Sequence, residues 1–181
     1  MAAKKQLKDQ SKAMLALGLA RISLGFIFIW GFFDKLLGLG FSTCRDAATD
    51  QVTVMCSQAW VNGASPTSGF LQFATDGPMQ GAYQAMAGNP LIDWLFMLGL
   101  LLIGAALILG IGVRVATVTG SLLMFMMWTS MLLPANNPLI DEHIIYILLL
   151  AVIYFANDEQ RLGLGAWWSR QELVKKYPVL R

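Results

Sequence analysis

The stretch Leu91–Gly112 reads LIDWLFMLGLLLIGAALILGIG and decides the fold class, because Asp93 near its start is its only charged residue. A transmembrane helix needs about 20 consecutive, mostly apolar residues, and this stretch supplies them. Asn89 and Pro90 directly ahead of it are typical of a helix start. The sequence therefore predicts a membrane-crossing helix over residues 91–112.

Three further apolar runs predict spans at about residues 14–39, 115–133 and 138–156. Only 13% of the 181 residues are charged, whereas a soluble domain carries about 25%. The net charge of +2 is too small for a nucleic-acid-binding surface, so no nucleic-acid partner is expected. We predict an all-α integral membrane protein with membrane lipid around it, a single domain over residues 1–181 built as a bundle of four transmembrane helices.

Basic residues predict how this bundle is oriented. The loop over residues 41–89 holds three aspartates against one arginine, whereas both ends of the chain are rich in lysine and arginine. By the positive-inside rule both termini are cytoplasmic and the loop is extracytoplasmic. No cleavage pattern follows the first span, so we expect it to stay uncleaved. The basic residues at the two ends are Lys4, Lys5, Lys8, Lys12, Arg161, Arg170, Lys175, Lys176 and Arg181.

The long outer loop is too apolar for an unstructured linker. It predicts two short helices on either side of Asp76-Gly77-Pro78, which either rest as a lid on the bundle or lie on lipid headgroups. Cys44 and Cys56 would face an oxidising compartment, which favours a structural disulfide. Free thiols would require the inverted topology, and a redox-active pair is usually spaced Cys-x-x-Cys. Residues 162–177, with paired tryptophans among basic residues, predict a helix in the inner interface, the alternative being a surface tail.

Arg21 lies about 10 Å into the first span, from the helical rise. It falls on the same side of the helix as Gly18 and Gly25, and small residues let a neighbouring helix approach, so we expect this face to be packed inside the bundle. An intramembrane charge is by default a functional-site hypothesis. The alternatives are that Arg21 reaches the inner phosphates or pairs with Asp158 or Glu159.

Polar side chains gather at the predicted outer ends of the four helices. His143 and Tyr146 share one face of the fourth helix. Histidine, tyrosine, tryptophan and carboxylates around an apolar pocket suit a quinone head group, because quinone chemistry moves two protons with its two electrons. Capping of the helix dipole is the alternative for an acid such as Asp93. Two cysteines and one histidine are too few for a metal centre, so no metal is predicted.

Several separated motifs together resemble the DoxX/DoxD family of small four-helix membrane proteins. The resemblance extends over residues 15–165 and is specific because the motifs occur in the same order. They are Gly31-x-x-Asp34-Lys35-Leu36, Ala59-Trp60-x-Asn62-Gly63-x-Ser65-Pro66-Thr67-x-Gly69-Phe70, Asp93-Trp94-Leu95-Phe96, Met127-Trp128-Thr129 and Asn136-Asn137-Pro138-x-x-Asp141-x-His143-x-x-Tyr146.

The resemblance implies a prokaryotic cell membrane, a quinone cofactor and partner subunits of a respiratory or sulfur-oxidising complex. The family includes the DoxD subunit of a thiosulfate:quinone oxidoreductase, so a role in thiosulfate oxidation is one expectation. Carried over residue by residue, the implied catalytic residues are His143, Asp141 and Lys35, and the implied quinone-binding residues are Tyr146, Trp128, Asp34, Asp93, Trp60 and Asn62.

Two functional hypotheses follow. The first is a DoxD-like membrane subunit that binds quinone near the outer face and takes part in electron transfer from a small donor such as thiosulfate. The second is a non-catalytic accessory subunit of a larger respiratory membrane complex. Under the first hypothesis, His143 and Asp141 handle protons, Tyr146 and Trp128 hold the ring, and Lys35 or Arg45 attracts an anionic donor.

Overall fold

The computed structural model describes residues 2–134, 137, 139–157 and 162–181. Within these ranges the regular structure is helical, and β-pairing is limited to isolated bridges. The helices are α1 (Ala2–Leu37), α2 (Ser68–Phe73), α3 (Gln80–Gln84), α4 (Pro90–Leu109), α5 (Val113–Ser130), α6 (Glu142–Phe155), α7 (Gly165–Trp168) and α8 (Glu172–Lys176), with 3₁₀ turns at Trp60–Asn62 and Pro178–Leu180.

The four longest helices pack side by side: α1 on α4, α4 on α5, α5 on α6, and α6 back on α1. Leu24, Phe28, Leu107, Leu150 and Ile153 are buried at the centre of this arrangement. Judged by length and composition alone, two of the helices could cross a membrane, namely α4 and the part of α1 from residue 10 onward. The all-helical prediction is therefore confirmed, and membrane crossing is supported for two helices.

A close contact between α1 and α4 sets the distance between these helices. A Cβ atom on Gly104 would lie 2.8 Å from the Ile29 backbone nitrogen and 2.9 Å from the Gly25 carbonyl oxygen. A side chain at either glycine would therefore press on backbone atoms of the other helix. Arg21 lies on the same side of α1 and is only 1% exposed, so this face is packed inside the bundle as the sequence predicts. Asp158 and Glu159, the partners considered from the sequence, lie outside the described residues.

Two helix boundaries differ from those predicted by hydropathy. Helix α1 begins at Ala2 instead of near residue 14, because the lysine, glutamine and alanine residues there favour a helix although the segment as a whole is polar. Helix α6 begins at Glu142 because the Asp141 side chain accepts hydrogen bonds from the backbone N–H groups of His143 and Ile144. The predicted start at Pro138 lies outside the described residues.

Residues 162–177 form α7 and α8, so the prediction of a single helix is wrong for this segment. The chain folds back on itself here: the Trp168 indole N–H donates to the Leu180 carbonyl, and Leu164 N–H donates to the carbonyl of Leu109 at 2.7 Å. Val174, in α8 of this segment, is fully buried. We call this end of the bundle, where α4 ends and α5 begins, the tail end.

The opposite end, where α1 ends and α4 begins, carries the loop over residues 41–89 and is called the loop end. The predicted disulfide is confirmed, since Cys44 and Cys56 are bonded. Asp76 N–H donates to the Ser130 carbonyl at 2.9 Å, and a Cβ atom on Gly77 would collide with the Leu132 carbonyl oxygen. The loop is therefore held closely against the end of α5.

Candidate functional site

An apolar cleft of about 450 Å³ lies between α4 and α5 at the loop end, beneath α2 and α3. Its volume falls in the range of about 300–1,000 Å³ that small-molecule sites occupy. We call it the α4–α5 cleft. Its walls include Leu95, Phe96 and Gly99 of α4 and Leu122, Leu123 and Met126 of α5, and its roof includes Phe70, Leu71 and Tyr83.

Lys35 is the charged residue of the cleft lining. Its ammonium donates a hydrogen bond to Ser42 Oγ at 3.0 Å, and because an ammonium has three donors, others remain for a ligand. The four hydroxyl groups in the described lining already have acceptors. Thr67 donates to Asp93 at 2.6 Å, Ser130 to the Met127 carbonyl at 2.7 Å, Thr119 to the Val115 carbonyl at 2.9 Å and Tyr83 to the Met126 carbonyl at 3.0 Å. Lys35 is therefore the group best placed to donate to a ligand's oxygen atom in this cleft.

The Asp34 carboxylate, beside Lys35 in sequence, does not point into the cleft lining. It is 1% exposed and accepts hydrogen bonds from Phe41 N–H at 2.9 Å, Ser42 N–H at 2.8 Å and Ser42 Oγ at 2.6 Å. These bonds satisfy the carboxylate and fix the turn that follows α1. The structure thus shows Asp34 as an anchor of the loop.

Asp93 anchors the loop in the same way at the start of α4. Its Oδ1 accepts hydrogen bonds from Ser65 Oγ at 2.8 Å and Thr67 Oγ1 at 2.6 Å. The rings of Trp60 and Trp94 meet edge to face at 4.7 Å beside it, an arrangement favoured by the aromatic quadrupole. Asn89 is the N-cap of α4, because its side chain accepts from Leu91 N–H. Asp93 lies in the first turn of the helix, and the hydrogen-bond partners of its carboxylate are hydroxyls of the loop.

Asn62 lies in the disulfide-bonded part of the loop. Its amide donates to the carbonyls of Met55 at 2.7 Å and Cys56 at 3.0 Å. Arg45, the other residue expected to attract an anionic donor, forms an exposed ion pair with Asp50 at 2.7 Å. Both side chains therefore have partners within the loop, away from the cleft lining.

Asp141 and His143 form a second polar group at the loop end. His143 Nδ1 lies 2.8 Å from Asp141 Oδ2, and Oδ1 accepts from His143 N–H at 3.0 Å. Burial alone would raise the pKa of Asp141, which precedes the first residue of α6. Hydrogen bonds from the His143 ring and from the backbone N–H of Ile144 outweigh that effect and hold the pKa below its usual range.

Trp128 and Tyr146 are also placed apart from the cleft lining. The Trp128 indole N–H donates to the Leu139 carbonyl at 3.0 Å, which ties the end of α5 to the segment before α6. Tyr146 is partly buried against the bundle core. Of the nine residues that the resemblance implies as catalytic or quinone-binding, Lys35 alone appears in the described cleft lining, so the structure divides the predicted single site into separate groups.

Sequence reasoning missed the cleft itself, and it did not single out the hydroxyl of Tyr83, which lies 2.6 Å from Thr129 Oγ1 beneath the loop. The cleft is lined by apolar residues of two helices, and one sequence gives no signal that distinguishes them from ordinary core or lipid-facing residues. Gly99 is the exception, since a small residue on the α5-facing side of α4 leaves space there.

Comparison with protein-family models, with curated proteins and with solved structures gives no match for this chain. The resemblance to DoxX/DoxD motifs accordingly rests on the motifs quoted above.

Proposed function

We propose that the chain is a four-span membrane protein in which α1, α4, α5 and α6 cross the bilayer, with the loop end outside and both termini in the cytoplasm. All four helices carry large exposed apolar side chains, among them Phe26, Leu102, Leu122 and Leu148, as lipid-facing surfaces require. Helix α6 has 14 residues, about 21 Å of helix. This is shorter than the hydrocarbon thickness of about 30 Å, and a short span is accommodated by local thinning of the bilayer.

We further propose that the protein is a DoxD-like subunit of a prokaryotic cell membrane that binds quinone in the α4–α5 cleft. The observation that carries this proposal is the cleft's shape and chemistry: apolar walls with one ammonium group in the lining. Leu95 and Leu122 line the cleft and are also exposed on the bundle surface, so a lipid-soluble ligand could enter sideways from the bilayer. The apolar walls suit an isoprenoid chain, and Lys35 suits a head-group oxygen.

Quinone, when bound, supplies a two-electron acceptor that takes up two protons on reduction. Lys35 would donate a hydrogen bond to one carbonyl oxygen, which favours negative charge developing there. The positive charge of Lys35 also favours approach of an anionic donor such as thiosulfate to this end of the bundle. The electrons would come from that donor through partner subunits of a respiratory or sulfur-oxidising complex. Proton handling by Asp141 and His143 stays a prediction, since neither lines the cleft.

The second candidate, a non-catalytic accessory subunit, is favoured by one feature of the loop. Phe73 is 85% exposed and Phe41 is 66% exposed, and large apolar side chains exposed on a loop are typical of protein–protein contacts. Under this proposal the loop docks on a larger respiratory complex, and the cleft holds ordinary lipid.

Organic extraction of the purified protein, followed by quantification of quinone, separates the two candidates. The first predicts about one quinone per chain, and it predicts loss of quinone in Gly99→Phe, because a bulky side chain there would fill the cleft. Leu98→Phe is the matched control, since Leu98 is exposed and outside the cleft lining. Lys35→Met should weaken quinone retention, whereas Lys12→Met, at an exposed position near the other end of α1, should not.

The accessory candidate predicts the opposite pattern. Wild-type protein would carry no quinone, and oxidase subunits would copurify with it in mild detergent. Quinone that survives Gly99→Phe at the wild-type level would contradict the placement of the ligand in the α4–α5 cleft.

A further inference from the structure

The strongest polar group that the α4–α5 cleft offers to a ligand is a hydrogen-bond donor. Lys35 is the charged residue of the described lining, and an ammonium group can donate hydrogen bonds but cannot accept them. Its bond to Ser42 Oγ leaves other donors of the ammonium for a ligand. A ligand's oxygen atom would accept a charge-assisted hydrogen bond there, which is roughly twice as strong as a bond between neutral groups.

Strong acceptors lie near this end of the bundle, but the loop occupies them. The buried Asp34 carboxylate accepts three hydrogen bonds from the loop, two of them from the N–H and the hydroxyl of Ser42. The buried Asp93 carboxylate accepts hydrogen bonds from two loop hydroxyls. Neither aspartate appears in the described lining. A ligand in the cleft therefore finds the ammonium of Lys35 without a carboxylate beside it.

The hydroxyl groups of the described lining are the remaining polar side chains there. Each of them already donates its proton within the protein, so it offers a ligand only a lone pair on a neutral oxygen. A neutral oxygen accepts more weakly than a carboxylate does. Among its described side chains, the cleft thus combines one strong donor with weak acceptors. The four hydroxyl groups belong to Thr67, Tyr83, Thr119 and Ser130.

Given the quinone site proposed above, we propose that the α4–α5 cleft discriminates between the two oxidation states of its ligand. It binds quinone more tightly than quinol, and Lys35 is the residue that determines this specificity. A quinone has two carbonyl oxygens and no proton to donate, so it matches a strong donor. A quinol has two hydroxyl groups that need acceptors, and its oxygen atoms accept less well than carbonyl oxygens. Donors left with poor acceptors make binding of quinol costly.

This preference suits a site that reduces quinone. When quinone has taken up two electrons from the donor and two protons from water, the resulting quinol is held less tightly than the quinone that replaces it. The product therefore leaves the cleft readily, and the next substrate molecule binds in its place. A site that oxidises quinol would need the opposite preference.

The test compares the affinities of the full chain for decylubiquinone and decylubiquinol. Tagged protein in detergent is immobilised on resin, and the retained probe is extracted and quantified by chromatography. The quinol is prepared with borohydride beforehand and kept under argon. Resin that carries Gly99→Phe, in which a phenyl ring would fill the cleft, gives the background. We expect wild type to bind the quinone about tenfold more tightly, the difference expected for one hydrogen bond to a charged group.

Variants test whether Lys35 causes the preference. Lys35→Met should lower the affinity for the quinone about tenfold and leave that for the quinol nearly unchanged, so that the two affinities become similar. Quinol binding by this variant also shows that it is folded. Lys12→Met, at an exposed position near the other end of α1, should keep the wild-type ratio.

The possible failures are distinguishable. If wild type binds both probes equally well, or binds the quinol more tightly, the specificity is refuted and the quinone site stands. If wild type binds neither probe above background, the quinone site itself is refuted. If Lys35→Met keeps the tenfold preference, Lys35 does not determine it. The wild-type comparison decides the preference even if Lys35→Met does not fold.

Discussion

Replacing Gly104 by alanine should destabilise the protein through a steric clash between α1 and α4. The new Cβ would lie 2.8 Å from Ile29 N and 2.9 Å from Gly25 O, and backbone atoms cannot move aside as a side chain can. Overpacking of this kind costs about 1–3 kcal/mol. Alanine returns about 0.5–1 kcal/mol by favouring the helix. We therefore expect a net loss of about 1 kcal/mol, and at most about 2.5 kcal/mol, in the free energy of unfolding.

Gly99→Ala provides the matched control, because Gly99 lies in the same helix and its nearest outside atom to a new Cβ would be Leu123 Cδ2, at 3.9 Å. This variant gains the same helix preference without the clash and should be as stable as wild type or slightly more stable. The assay is equilibrium unfolding in mixed detergent micelles, followed by far-UV circular dichroism. If Gly104→Ala is as stable as Gly99→Ala, then α1 and α4 do not pack as closely as described.

Three further predictions concern the loop end. Asp93→Ala should lower the free energy of unfolding by about 2–4 kcal/mol, because it removes the charged acceptor of two hydrogen bonds; thermal unfolding would show this, and an unchanged melting temperature would contradict it. Reducing the Cys44–Cys56 disulfide should lower the free energy of unfolding by about 3 kcal/mol, because the unfolded chain gains loop entropy. A double serine variant that is as stable as oxidised wild type in the same assay would refute this. Because the pKa of Asp141 is lowered, its contribution to stability is complete above about pH 4 and is lost as the pH falls through the lowered value. Asp141→Asn should therefore remove part of the fall in melting temperature that acid causes. If the melting temperatures of the variant and the wild type depend on pH in the same way, the carboxylate is not hydrogen-bonded as described.

Hydropathy identified the helices better than it identified their ends. The apolar runs that predicted spans correspond to α1, α4, α5 and α6. These helices need apolar side chains to pack against one another, whether water or lipid surrounds the bundle. Hydropathy does not report where backbone hydrogen bonds stop. Helix α1 therefore extends to Ala2 through charged residues, and α6 begins only where Asp141 caps it.

The disulfide followed from the sequence because the charge pattern assigned the loop that holds both cysteines to an oxidising compartment. The arrangement of the site did not follow in this way. Topology predicts that Asp34, Asp93 and Asp141 share one end of the bundle, but it does not predict which way each side chain points. Each carboxylate accepts hydrogen bonds from N–H or hydroxyl donors nearby in the loop or in the next helix turn. The three carboxylates therefore lie at the same end of the bundle without lining one pocket.

Photolabelling with an azido-quinone would show whether a quinone head group is held in the α4–α5 cleft. Labelled protein would be digested and its modified peptides sequenced by mass spectrometry, with excess unlabelled quinone as competitor. We expect label that the competitor reduces on the segments around Leu95–Gly99 and Leu122–Met126. Such label confined to the start of α6 around His143, or label that the competitor does not reduce, would contradict this placement.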